Sequence, residues 1–327
     1  VLMRNFLFFI ALFSSLLMQA QTWVDETYRQ MTLDEKLGQL FMVGITTSDS
    51  EDLLNRQLSE IQKYRVGGVA FLAGSPEVQI ELTNRIQANA AVGVMIAMDA
   101  EWGVAMRFKS LEPFPWAMAM GGLSDVSWTR ELGRRVGRDL EMIGVHMNFA
   151  PVADINVHPL NPIIGNRSFG SSPQRVLDHA NAYALGLADS GVLSCAKHFP
   201  GHGDTAQDSH KTLPQVAHER QRLDEIELFP YQAPLLDQVD AVMVAHLDVP
   251  ALTGQPGQPS SLSKKVVSDL LIDQLGFSGL VITDALNMKG VSQAMDPGQV
   301  ALDAFLAGND LLLIPVDLAA GIQALKR

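Results

Sequence analysis

The sequence predicts an α/β protein, a TIM-type (β/α)8 barrel, on three observations. Short apolar segments rich in β-branched residues alternate with longer segments of helical period, as βαβ units with a parallel sheet require. The apolar segments number eight, the barrel number. Polar residues gather at the carboxyl ends of those segments, where a barrel places its chemistry.

The predicted strands are Leu40–Ile45, Val66–Leu72, Gly93–Met98, Val145–Pro151, Val192–His198, Ala241–His246, Gly279–Asp284 and Asp310–Pro315. Several lack polar alternation, the pattern of strands buried on both faces. Between them, helices are predicted over Ser50–Lys63, Pro76–Ala90, Ser127–Met142, Ser172–Ser190, Glu225–Asp237, Lys264–Leu275 and Gly298–Ala307. No Gly/Ser linker, charge block or low-complexity tract interrupts this rhythm, so residues 21–327 read as one barrel domain. The last strand is followed only by Asp317–Lys326, one short helix. The natural protein is therefore expected to continue, with room for a further C-terminal domain.

The first twenty residues differ from the rest. Met3-Arg4-Asn5 is a short positive start, Phe6–Leu17 is an apolar run, and Met18-Gln19-Ala20 offers a small residue for cleavage. That is the pattern of a secretory signal peptide over residues 1–20. The run is shorter than the ~20 residues of a membrane span. An exported protein, periplasmic or extracellular, without stable membrane insertion after signal cleavage, is expected.

A chain of 327 residues that is 47% hydrophobic and 18% charged can bury a large core. Its net charge of −12, with no Lys/Arg cluster, argues against nucleic acid and anionic membrane surfaces as partners. A neutral or sugar-like substrate fits better. Cys195, the single cysteine, forms no internal disulfide and reads as a small buried side chain.

At the strand ends stand Asp99 after the third strand, Asp154 and Asn156 after the fourth, Lys197 and His198 on the fifth, His246 on the sixth and Asp284 on the seventh. Charged groups at the ends of apolar strands are costly to desolvate, and five such ends converging is no accident of composition. Taken singly, Asp154 also reads as a turn cap, His246 as a satisfied core histidine and Lys197 as a structural ion-pair partner. The densest segment is Lys197-His198-Phe199-Pro200-Gly201-His202-Gly203-Asp204-Thr205, followed by Asp208-Ser209-His210. It is an irregular loop too rich in titratable groups to be a mere connector. His198, His202, Asp204, Asp208 and His210 are also compatible with a mixed nitrogen and oxygen metal site, although their spacing matches no zinc motif. No metal and no other cofactor is expected.

The run KHFPGHGDT with DSH after it, the strand VITDALNM (Val281–Met288) and the segment NPIIGNRSFG (Asn161–Gly170) resemble the barrel domain of glycoside hydrolase family 3 β-N-acetylglucosaminidases, the type that recycles peptidoglycan fragments. The resemblance covers nearly the whole chain after the signal, with the motifs in order. It implies Asp284 as nucleophile, and Asp208 with His210 as the acid/base dyad. It also implies substrate binding by Asp99, Arg107, Arg167, Lys197, His198 and His246. The implied substrate is a carbohydrate, an N-acetylglucosamine-containing glycan or muropeptide. A retaining enzyme needs a carboxylate beneath the anomeric carbon and a proton donor at the leaving oxygen. An imidazole oriented by an Asp can be that donor near neutral pH. Lys197 and the arginines are expected to keep Asp284 ionised. Gly201 and Gly203 suggest a loop that moves. Trp102 and Trp116 read equally as a sugar-stacking surface or as core. Where the family commonly has Asp-Gln-Glu-Gly-Gly after the third strand, this chain has Asp99-Ala100-Glu101-Trp102-Gly103, which leaves contacts beyond the first sugar open. A family 3 β-glucosidase or xylosidase and a non-catalytic sugar-binding barrel are the competing readings, and the DSH segment favours the N-acetylglucosaminidase.

Overall fold

The computed structural model describes residues 22–205, 213–292 and 295–327. The signal-peptide reading of residues 1–20 therefore lies outside the described residues, as do Asp208 and His210. Eight strands form one parallel sheet: β1 (Phe41–Thr46), β2 (Gly68–Ala73), β3 (Met95–Met98), β4 (Met147–Asn148), β5 (Leu193–Phe199), β6 (Ala241–Val244), β7 (Leu280–Thr283) and β8 (Leu312–Leu313). Their order is β7-β6-β5-β4-β3-β2-β1-β8. The ring closes through the parallel bridge Ile282↔Leu311 and the bond from the Thr283 N–H to the Leu311 carbonyl at 3.0 Å. All eight predicted strands are present. β4 and β8 are shorter than predicted, each reduced to a two-residue ladder.

Strand parity divides the core in two. Met42, Ala70, Ala97, Met147, Cys195, Met243, Ile282 and Leu313 point inward and fill the barrel. Their neighbours Phe41, Val69, Ile96, Ala196, Val242, Val281 and Leu312 point outward against the helices. Side chains alternate faces along a strand, so both sets are apolar and the strands read as unbroken hydrophobic runs.

The outer layer is α1 (Leu33–Gln39), α2 (Glu51–Tyr64), α3 (Pro76–Ala88), α4 (Ser127–Met142), α5 (Pro173–Ala188), α6 (Arg220–Glu225), α7 (Lys265–Gln274), α8 (Pro297–Ala307) and α9 (Leu318–Lys326). Starts are capped from the sequence: Thr32 and Glu35 form a capping box on α1, and Ser50, Ser75, Asp296 and Asp317 accept first-turn N–H groups on α2, α3, α8 and α9. The helix predicted over Glu225–Asp237 is the one that does not form. Pro230 and Pro234 lie inside that span, and proline removes a helix N–H and clashes with the preceding turn. The chain instead makes α6, then turns, then a single helical turn at Leu235–Gln238. The turns bury Tyr231 edge-on against Phe199, with ring centroids 5.0 Å apart.

Helices α4 and α5 meet through glycines. A Cβ on Gly186 would stand 2.1 Å from the Arg130 carbonyl oxygen, and one on Gly133 would stand 2.4 Å from that of Tyr183. Gly186→Ala is therefore expected to destabilise the protein by about 2 kcal/mol despite alanine's better helix propensity. Urea unfolding measures this, and a midpoint at or above that of the parent would show that the helices part without cost.

Candidate active site

The parity that fills the barrel with apolar side chains also supplies its mouth. Continuing the inward series of β3 (Met95, Ala97), β5 (Leu193, Cys195) and β7 (Leu280, Ile282) by two residues reaches Asp99, Lys197 and Asp284. Three strands thus deliver charged groups to the carboxyl-end face. One more step on β3 reaches Glu101.

Lys197 is 1% exposed. Its Nζ donates to Asp99 Oδ1 at 2.5 Å and pairs with Glu101 Oε1 at 2.7 Å. Arg107 grips the other Asp99 oxygen, and its Nε and Nη1 donate to the carbonyls of Asp99 and Leu72 at 3.3 and 3.2 Å. Arg167 holds Glu101 in a fork, Nε to Oε2 at 2.9 Å and Nη2 to Oε1 at 2.7 Å. Burial alone would raise the Asp99 carboxyl, but Lys197 and Arg107 outweigh it and hold it well below the usual carboxylate range. Burial likewise opposes ionisation of Glu101, yet Arg167 and Lys197 bring it down to about 2. Burial disfavours the Lys197 ammonium, and Asp99 and Glu101 overcome that and raise it.

Arg167 Nη2 also reaches His198 Nε2 at 3.3 Å. Arginine only donates, so Nε2 accepts and the ring proton sits on Nδ1, which faces Asp154 Oδ2 at 2.6 Å. Asp154, 1% exposed, further accepts the His198 N–H at 3.2 Å and the His202 N–H at 2.6 Å. It is more than a turn cap, since it orients the whole KHFPGH segment. Burial would raise its carboxyl, and the adjacent His198 and His202 hold it below the ordinary value. Asn161 ties the NPIIGNRSFG segment to the same loop, its amide donating to the His202 carbonyl at 2.8 Å.

Asp284 is partly exposed at this face, with its Oδ1 accepting the Ala285 N–H at 2.8 Å. Its carboxyl is raised by burial and lowered more by His246, His198 and the Ala285 N–H, so it stays ionised. The expected cations were Lys197 and the arginines. His246 and His198 contribute more than Lys197. His246 is fully buried, with Nδ1 2.6 Å from Ser261 Oγ and Nε2 3.1 Å from the Ala285 carbonyl. Both ring nitrogens are engaged, so His246 fixes the turn behind Asp284.

The structure thus brings together Asp99, Arg107, Arg167, Lys197, His198, His246 and Asp284. Glu101 and Asp154 join them with roles that residue type alone did not show. The β3 parity, extended one more step, was the available signal for Glu101. The two loop glycines also acquire a different reason. A Cβ on Gly203 would stand 1.8 Å from the Ile155 carbonyl oxygen, and one on Gly201 would stand 2.6 Å from Glu227 Cβ. They permit close packing of the loop against the barrel top. Among the described residues, no group of three or more His, Cys, Asp or Glu is arranged to hold a metal ion. A groove of about 670 Å³ lined by Trp23, Leu58, Arg65, Val66 and Val94 lies on the opposite face, since Val66 and Val94 precede β2 and β3.

The fold and this mouth define a TIM barrel whose polar site stands on the carboxyl ends of its strands, the class in which chemistry is built on the βα loops. Within that class the chain belongs to glycosyl hydrolase family 3: residues 32–327 match the family's N-terminal domain. It is 32% identical to beta-hexosaminidase A of Pseudoalteromonas piscicida over 88% of this chain and 54% of that protein. It is 34% identical to beta-hexosaminidase LpqI of Mycobacterium tuberculosis over 85% of this chain and 72% of that protein. A glycoside hydrolase family 3 beta-N-acetylglucosaminidase from Paenibacillus sp. str. FPU-7 superposes with a TM-score of 0.81 at 36% identity, over 90% of this chain and 57% of that one. The chain spans about half the length of the first and third of these relatives.

Because Glu101 ionises in the folded protein near 2, against an ordinary value of about 4.5, its stabilisation is fully present above pH 4.5 and is lost as pH falls toward 2. Glu101→Gln should cost on the order of 3 kcal/mol at pH 7, and the gap from the parent should close between pH 4.5 and 2. Urea unfolding at pH 7 and pH 3 tests this; an equal gap at both would mean that the ionic contacts contribute nothing.

Proposed function

We propose that the chain is a retaining exo-β-N-acetylglucosaminidase that removes terminal β-linked N-acetylglucosamine, with peptidoglycan fragments as the natural source. The observation that carries the reading is the ionised Asp284 standing apart from the Asp99–Lys197–Glu101–Arg167 network. Among the described residues this carboxylate is in no salt bridge, while the others are consumed in building a rigid polar floor. The names of the relatives, beta-hexosaminidase and beta-N-acetylglucosaminidase, support the same reading.

In this mechanism Asp284 attacks the anomeric carbon as the bond to the leaving oxygen breaks through an oxocarbenium-like transition state. His210, oriented by Asp208, gives its proton to that oxygen. It then takes a proton from the water that attacks the glycosyl–Asp284 ester and frees the carboxylate. The dyad is carried over from the family resemblance. Asp99, Lys197 and His198 meet the hydroxyls of the terminal sugar, Arg107 and Arg167 hold the acids that aim them, and charged donors make the stronger hydrogen bonds. The secretory pattern of residues 1–20 supports an exported enzyme, periplasmic or extracellular.

The full-length protein is expected to release 4-nitrophenol from the N-acetyl-β-glucosaminide and not from the matching glucoside. Asp284→Asn should lower kcat/KM by about 10⁴ or more and His210→Ala by about 10² to 10⁴. A fluorinated substrate analogue should add one sugar mass to the parent on the Asp284 peptide. Release from the glucoside alone overturns the substrate, and activity that survives Asp284→Asn overturns the site.

A further inference from the structure

We propose that the stacked indoles of Trp102 and Trp116 form a platform for the pyranose ring of the leaving group, just outside the charged pocket. This rests on the glycosidase reading above. Trp102 directly follows Glu101, and Trp116 heads a short helix, Ala117–Gly121, that packs against the turn Gly165–Arg167. Glu101 and Arg167 are joined by the forked ion pair. The aromatic stack joins the Glu101-Trp102 turn to the helix at 117–121, and the ion pair joins the same turn to Gly165–Arg167, so both indoles stand on segments linked to the Glu101–Arg167 pair.

The rings lie 4.0 Å apart and 14° from parallel. Trp116 nevertheless remains 42% exposed and Trp102 is only half-buried. The loop beneath them is held firmly. The Phe114 N–H donates to the Trp102 carbonyl at 3.0 Å. Gly103, at φ +89°, turns so close to Phe114 that a Cβ there would stand 2.6 Å from its ring. A flat, braced aromatic surface left in water suits the C–H face of a sugar ring, which buries apolar area there and keeps its hydroxyls solvated. The charged floor has the opposite character, being built of donors and acceptors that match the hydroxyls of one enclosed sugar. A second ring, linked through the scissile oxygen, leaves the pocket and must be bound at its rim. The platform takes that ring.

Kinetics on N,N′-diacetylchitobiose and on methyl N-acetyl-β-glucosaminide, whose leaving group is too small to stack, separate the two subsites. Trp116→Ala is expected to lower the ratio of kcat/KM for disaccharide over methyl glycoside about tenfold, chiefly through KM of the disaccharide, with Trp116→Phe retaining most of it. In parallel, diacetylchitobiose should quench the parent's tryptophan fluorescence saturably, N-acetylglucosamine should not, and Trp116→Ala should abolish the response. An unaltered ratio in both variants overturns the platform. Should the parent hydrolyse neither substrate, the glycosidase reading fails by itself. The fluorescence titration then decides the platform, which is lost if diacetylchitobiose gives no quenching or if the quenching survives Trp116→Ala.

Discussion

The interaction on which the rest of this molecule depends is the burial of the Lys197 ammonium between Asp99 and Glu101. A lone ammonium at 1% exposure would be prohibitively costly, and even a paired one returns its desolvation cost only when geometry and further hydrogen bonds are complete. Here they are complete. Each acid that holds Lys197 is itself held by an arginine, and each arginine bonds a backbone carbonyl besides. The network crosses the barrel mouth from β3 to β5 and fixes the loops that leave both strands.

Fixing that floor has a consequence for Asp284. Since Lys197 and the two arginines are committed elsewhere, the seventh-strand carboxylate has no tight cationic partner among the described residues. Its carboxyl is held below the ordinary value beside His246 and His198 and by the Ala285 N–H. A carboxylate locked in a salt bridge would be a poor nucleophile, because attack would first have to break the bridge. One that is charged, oriented through Ala285 and not clamped is ready to act. His246 contributes from behind by pinning the Ala285 carbonyl, a positioning role that its full burial makes rigid.

The same economy of loops is visible around Asp154. One buried carboxylate collects two backbone N–H groups and a ring nitrogen from the KHFPGH segment, so this irregular loop needs no regular secondary structure to hold its shape. Gly203 and Gly201 allow the loop to lie directly on Ile155 and Glu227. A Cβ at either glycine would meet these neighbours, so both glycines are needed for the contact.

The sequence by itself determined the barrel: strand number, helix periodicity and the clustering of polar residues at strand ends are local or periodic properties, and local geometry converts them into a fold. It also marked Asp99, Lys197, His198 and Asp284 through position and motif. It failed at Glu225–Asp237, where two prolines outweighed an otherwise helical composition. Only the tertiary structure decided the partners. Asp99 and Lys197 are 98 positions apart, and Arg167 meets Glu101 across 66; nothing in local sequence specifies such pairs. Whether His246 offers a free nitrogen, whether Gly201 is a hinge or a contact, and whether Trp102 meets Trp116 or the core depend on which surfaces the closed ring brings face to face. Residue type sets what a side chain can do, and its neighbours across the fold set what is left for it to do.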